Sequence, residues 1–393
     1  MRMRNPVRRI SIETWPVSNT KARSANGSAF SLSFVVIAGI AAASLAGALS
    51  PARTPTLPNA RPAGATSTAT AVVSHELARV SLPGPVYDLT YDAARNSMWF
   101  VHMALGSSST LFEYSFSDGS LRPWMLPAAD YNGFVSRVRL APDGSVWLNQ
   151  LYSIIRFDPA SGSITQLDLP QEDEDAISSA LSPDNPSPGT WPSAITIEAD
   201  GTVLISRHNV RSLVAVSPDD RVAARLPLPD GVVGPVDLAD VEGTVYMASP
   251  DGIAAMSENG TAVLLTGPGA FHLARNGSDV LGIGPTSVVI ASKKAVSVLR
   301  TDGGSAKDLG ALSADSAFLW RRDLPAVQKV DRTGAITSVL KFSTTQQTRV
   351  RPNGQVATWL DSDVVTAMAT DSAGSLWAVE VTATGTYLVH LEI

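Results

Sequence analysis

From about residue 72 to the end of the chain, Asp-Gly, Asn-Gly and Ser-Gly turns recur between short runs rich in Val, Ile, Leu and Thr. Such turns supply the positive φ that a tight connection between antiparallel strands requires, so the pattern reads as a long succession of hairpins. No stretch of helical period and useful length interrupts it. Two kinds of turn alternate. One precedes a strand with an aromatic or large apolar residue: APDGSVWL (141–148), EADGTVLI (198–205), DVEGTVYM (240–247), DSAGSLWAV (371–379) and, in altered form, NSMWF (96–100). The other joins more polar strands and falls at Gly119, Gly162, Asp220, Gly260, Gly303 and Gly334, spaced about forty residues apart.

Four short strands repeated at that interval predict the blades of a β-propeller, since a four-stranded sheet cannot bury both of its faces alone and must stack against neighbours around an axis. The one long interval contains QEDEDAISSALSPDNPSPGTW (171–191), an insertion whose removal restores the period. The expectation is an all-β, seven-bladed propeller over residues 72–393, with blades beginning near residues 84, 128, 171, 230, 268, 310 and 361. Six or eight blades remain open, because the fifth and sixth repeats are degenerate and residues 353–360 have no obvious place.

The ends of the chain suggest how the ring closes. Repeats finish with Leu126-Pro127, Leu169-Pro170 and Leu228-Pro229, and HELARVSLP (75–83) has the form of such a final strand although it comes first. The last repeat, from residue 364 to 393, holds only three strands. Strand 75–83 is therefore expected to complete the last blade and remove its free edge.

The amino terminus has a different character. Residues 1–28 carry Arg2, Arg4, Arg8, Arg9, Lys21 and Arg23 against Glu13, a net +5 that leaves −11 for the rest of a chain whose total is −6. Residues 29–49, AFSLSFVVIAGIAAASLAGAL, have no ionisable group and match the length of a membrane-crossing helix. The basic flank places the amino terminus in the cytoplasm and the remainder outside. The segment reads either as a single-pass anchor or as a signal peptide cleaved after Ala46-Gly47-Ala48, leaving a cell-membrane protein or a secreted one. Residues 50–71, rich in Pro, Ala, Thr and Ser, bury too little surface to fold and read as a tether.

Composition excludes several functions. The absence of Cys removes disulfide scaffolds, thiolate metal sites and cysteine nucleophiles. The acidic balance argues against a nucleic-acid partner. Phosphate loops and dinucleotide fingerprints need a strand-to-helix context that an all-β chain lacks.

The second repeat, RVRLAPDGSVWLNQLYSIIRFDPASGSITQLDLP (137–170), resembles those of the streptogramin B (virginiamycin B) lyase group and, more broadly, NHL-type and gluconolactonase-like propellers. The shared pattern is a Pro-Asp-Gly turn, an apolar-Trp-apolar strand, an Ile-x-Arg-Phe-Asp strand, a Gly turn and a terminal Leu-Pro. The resemblance implies a site on the face of the blade-to-blade loops, built in those lyases from His and Glu side chains with a magnesium ion. Their second strands often end in Trp-Phe-Thr-Glu. The third position after the aromatic residue, or after Leu204 in the third repeat, here holds His102, Gln150, Arg207, Ser249 and Glu380, a varied set expected at the channel mouth.

His272, in GPGAFHLARNG (267–277), weakly resembles the histidine-bearing first strand of the lyases. It reads either as a general base, with Glu380 and His102 as companions, or as a strand-end cap. Gln150, Arg207, His208 and Ser249 are candidate ligand-binding rim residues. His75 and His390 fall in the closing strands and read as structural. The acidic run 172–175 would attract Ca²⁺ or a basic partner, or form a solvated lid, and lacks the spacing of a calcium loop. Two functions follow: a propeller that binds a small molecule, glycan, peptide or protein on its loop face, or a metal-dependent lyase- or lactonase-like enzyme using Mg²⁺ or Ca²⁺.

Overall fold

The computed structural model describes residues 75–392 apart from short loop stretches and one longer run, 170–191. The expected amino-terminal tail, membrane segment and tether, His208 and the acidic run 172–175 lie outside the described residues. Among the described residues no helix is long and apolar enough to cross a membrane.

The chain is an all-β, seven-bladed propeller. Blade 1 is β2 (Val86–Asp92), β3 (Ser97–His102), β4 (Thr110–Ser115) and β5 (Leu121–Met125). Blade 2 is β6 (Val135–Leu140), β7 (Val146–Gln150), β8 (Ser153–Asp158) and β9 (Ser163–Asp168), and blade 3 is β10 (Pro192–Ile197), β11 (Val203–Arg207), β12 (Ser212–Val216) and β13 (Val222–Pro227). Blade 4 is β14 (Asp237–Val241), β15 (Thr244–Ser249), β16 (Gly252–Met256) and β17 (Ala262–Leu265), and blade 5 is β18 (His272–Asn276), β19 (Asp279–Ile283), β20 (Val288–Ser292) and β21 (Ala295–Leu299). Blade 6 is β22 (Lys307–Leu312), β23 (Ser316–Arg321), β24 (Ala326–Asp331) and β25 (Ile336–Lys341).

Blade 7 takes β28 (Val364–Thr370), β29 (Leu376–Thr382) and β30 (Gly385–Glu392) from the end of the chain, and β1 (His75–Leu82) from its beginning. Strand β1 pairs antiparallel with β30 from His75 opposite Glu392 to Leu82 opposite Thr386, the closure expected from HELARVSLP. The residues that had no place in the repeat form an extra hairpin, β26 (Thr344–Val350) and β27 (Val356–Ser362), inserted between blades 6 and 7.

Each blade's first strand lies beside the first strands of both neighbours, so seven inner strands ring the axis. The core is divided accordingly into seven apolar clusters, one at each blade-to-blade interface. Successive side chains of a strand point to opposite faces, and the second strand of a blade is covered on both. In β3, Trp99 enters the cluster shared with blade 2 while Met98 and Phe100 enter the one shared with blade 7. Trp147, Leu204, Tyr246, Trp320 and Trp377 repeat that placement, each facing the following blade. The recurrent aromatic is thus a stacking residue, and burying such a side chain is worth about 1.5–3 kcal/mol before cavity effects.

The turns before β3, β7, β11 and β29 are closed by their own aspartates, Asp92, Asp143, Asp200 and Asp371. Asp371 Oδ1 accepts from the amides of Ala373 and Ser375, its Oδ2 accepts from Trp377 Nε1 at 3.2 Å, and Gly374 supplies a φ of +80°. The Arg of the Ile-x-Arg-Phe-Asp strand has a similar duty: Arg156 joins Asp143 of its own blade at 2.7 Å and Asp220 of blade 3 at 3.1 Å.

Candidate functional site

The inner strands enclose a cavity of about 270 Å³ on the propeller axis. Its polar lining includes Asp88 and Thr90 from β2, Arg139 from β6, Thr196 from β10, His272 and Arg275 from β18, and Thr370 from β28. These residues share a wall because the first strands of the blades lie side by side around the axis.

The cavity is organised by Asp237, whose side chain has no solvent exposure. Its Oδ1 accepts from the amide of Leu238 at 3.0 Å, Arg137 Nε at 3.3 Å and Arg139 Nη2 at 3.5 Å. Its Oδ2 accepts from the amide of Leu273 at 2.9 Å and lies 3.1 Å from His272 Nδ1. One carboxylate therefore draws together β6, β14 and β18, reaching past blade 3. Burial works against ionising Asp237, but the charges of Arg137, His272 and Arg139 and the His272 hydrogen bond outweigh it, holding the carboxyl far below the usual range. Arg137 shows the reciprocal effect. Burial disfavours its charge, Asp237 and Asp88 favour it more, and its pKa is raised.

Asp88 repeats the motif in blade 1. Its Oδ2 accepts from the amide of Val138 at 2.8 Å and from Arg139 Nη1 at 2.7 Å. In both blades an inner-strand aspartate holds the next blade's first strand, as Asp237 does with Leu273.

His272 lies on the cavity wall with both ring nitrogens engaged, Nδ1 by Asp237 and Nε2 by the carbonyl of Gly310 at 3.1 Å. It ties blade 5 to blades 4 and 6. To take a proton at Nε2 from a substrate it would have to give up the Gly310 carbonyl. A side chain at Gly310 would drive a Cβ into Ile283 Cδ1 and to 3.0 Å from the Phe318 carbonyl oxygen, so glycine is what allows β22 this close.

The expected companions of His272 do not line the cavity. Glu380, 5% exposed, accepts from Arg79 Nη2 of the closing strand at 2.7 Å. His102 ends β3 with its ring against Gly84, and burial lowers its pKa. Gln150, Arg207 and Ser249 end β7, β11 and β15, and Arg207 and Ser249 are buried. Among the described residues no group of three His, Asp or Glu side chains is placed to hold a metal ion, so these residues do not fit a magnesium or calcium centre.

Asp88, Arg137, Arg139, Asp237 and Arg275 were not singled out from the sequence. Their signal was present: each is a charged residue in the first strand of a repeat, where a buried inner strand needs a partner for every charge.

No family model and no curated protein matches the chain. Solved structures do. Virginiamycin B lyase from Staphylococcus aureus aligns at 12% identity and a TM-score of 0.58 over 80% of this chain and 98% of that one. The Pan2 WD40 domain of Neurospora crassa aligns at 11% identity and 0.56 over 81% and 95%. The extracellular domain of the putative hybrid two-component system BT4673 of B. thetaiotaomicron aligns at 12% and 0.52 over 79% and 40%. At these identities the likeness is one of fold: this chain is a seven-bladed β-propeller similar to the streptogramin B lyases.

Proposed function

We propose that the protein is an exported binding module that takes a ligand or partner at the loop face of its propeller, with the axial channel as the ligand's seat. The observation that carries this reading is the cavity of about 270 Å³, in which Arg139, His272, Arg275 and several threonines converge from five inner strands. Concave sites with a few convergent polar groups are the usual form of a small-molecule pocket. The apolar segment 29–49 supports export, either as an anchor or as a cleaved signal. The likeness to an extracellular domain is consistent with it.

The test is a ligand-observed NMR screen of the full-length chain against a defined mixture of carboxylic acids, amino acids, sugars and short peptides. Binders should perturb the His272 imidazole resonances. A screen without binders, or binders that perturb only outer strands, overturns the reading.

A lyase- or lactonase-like activity is the second reading. It rests on His272 lining the cavity beside a carboxylate, in a fold shared with virginiamycin B lyase. A neighbouring structure holds a catalytically inactive histidine-to-alanine form of that lyase with quinupristin. Incubation of this chain with quinupristin and Mg²⁺, followed by mass spectrometry, separates the two. The binding module leaves quinupristin intact.

A further inference from the structure

The charges lining the channel are not evenly matched. Arg139 is paired twice, with Asp88 at 2.7 Å and Asp237 at 3.5 Å. Arg275 lines the same cavity from β18, and its described bond is from Nη1 to the backbone carbonyl of Asp240 at 3.0 Å. No ion pair joins Arg275 to a carboxylate among the described residues. A guanidinium has five N–H donors in a planar fork, and one of them is spent on Asp240.

Arg275 also stands where two cavities meet. It lines the axial cavity together with Arg139, and it also lines a second cavity whose wall includes Glu198, Asp240 and Glu242. An anion arriving from the carboxylate side would be repelled, whereas on the axial side it meets the guanidinium groups of Arg275 and Arg139, with one carboxylate, Asp88, already bonded to Arg139. The electrostatics agree with the geometry. Desolvation of the guanidinium and the like charge of Arg139 lower the pKa of Arg275, although the residue as a whole is exposed, and the attraction of Asp240 is the smaller effect.

We infer that the axial cavity seats an oxyanion, the carboxylate or phosphate group of a small ligand, on the free donors of Arg275 with Arg139 beside it. The site rests on the binding role proposed above and gives it a ligand class. A bound oxyanion supplies Arg275 with the carboxylate-like partner that Arg139 already has in Asp88 and Asp237, and accepts a fork of charge-assisted hydrogen bonds.

The experiment follows the melting temperature of the full-length chain against acetate and inorganic phosphate, at ionic strength held constant with chloride. Wild type should be stabilised saturably by one of them, and the more effective anion identifies the ligand's group as carboxylate or phosphate. Arg275→Gln should raise the midpoint anion concentration about tenfold or more, as loss of a charge-assisted contact does. Arg275→Lys, which keeps the charge and loses the fork, should fall between them, and decides the matter should Arg275→Gln not fold. Arg122→Gln, at an exposed outer-strand position, should respond as wild type. An unsaturable response, or equal midpoints in the Arg275 variants and wild type, overturns the site. Binders from the screen that are uncharged and held equally by Arg275→Gln would overturn the oxyanion site alone. A screen with no binders would overturn the binding role itself.

Discussion

Arg79 Nη2 lies 2.7 Å from Glu380 Oε2, joining the strand that opens the propeller to the last blade across 301 positions of sequence. Arg79 also holds Glu76 at 2.9 Å and stacks over the Tyr387 ring at 4.6 Å. The two partners differ in exposure, 37% for the Arg79 side chain and 7% for that of Glu380.

That asymmetry fixes the order of two substitutions. Arg79→Ala removes the cationic partner of a buried carboxylate and should cost about 2–3 kcal/mol, less than the full cost of breaking a buried pair because Arg79 is partly solvated. Glu380→Gln leaves Arg79 with Glu76 and a neutral acceptor and should cost about 1 kcal/mol. Urea denaturation of the full-length variants measures both. Equal losses, or a larger loss for Glu380→Gln, would show that the pair does not hold the seam.

Asp237 sets the acid sensitivity of the ring. Its folded pKa is depressed, so the stability it contributes is fully present above the ordinary carboxylate value of 3.8 and is lost as pH falls through that value toward the lower folded one. Wild-type stability should therefore decline steeply below about pH 4, with Asp237 contributing up to about 1.4 kcal/mol per pH unit, the slope for one proton. Asp237→Asn should cost about 3–5 kcal/mol at neutral pH, because it removes a charge from beside Arg137 and Arg139, and should flatten the acid slope by one proton. An unchanged slope in the variant would assign the acid sensitivity elsewhere.

The blades and their closure were legible because each turn is written locally. An aspartate such as Asp371 caps its own turn and reaches the aromatic residue six positions on, so turn and stacking residue recur together. The same local grammar hid hairpin β26–β27, because Asn353-Gly354 in the sequence reads like any other turn signal. The channel was illegible for the opposite reason. Arg137 and Arg139 meet Asp237 about a hundred residues away, and only closing the ring brings blade 2 against blade 4. Glu380 was read as a rim residue because its position after Trp377 is local, while its partner Arg79 belongs to the far end of the chain.

Gly310 offers a separate test of the strut formed by His272. Gly310→Ala would drive a Cβ against Ile283 and the Phe318 carbonyl, and overpacking of this kind costs about 1–3 kcal/mol. The shift of β22 should also lengthen the contact between His272 Nε2 and the residue 310 carbonyl. Imidazole resonances of His272 should move while those of His390, in blade 7, stay in place. A destabilised variant with unmoved His272 resonances would remove the strut and leave a packing role only.

The segment 29–49 makes the last prediction. A run of this length without ionisable groups, preceded by six basic residues, should carry residues 75–392 out of the cytoplasm. In intact cells the propeller should be open to external protease or found in the medium. Ile37→Arg places a charge near the middle of the apolar run, where it costs about 2.5–3.5 kcal/mol on insertion scales, and should leave more of the chain inside. Sequencing the mature amino terminus tells the two forms apart. A start upstream of Phe34 identifies an anchor, and a start just after Ala48 a cleaved signal. Wild-type protein that stays in the cytoplasm would end the export reading, because residues 29–49 would then have no membrane to enter.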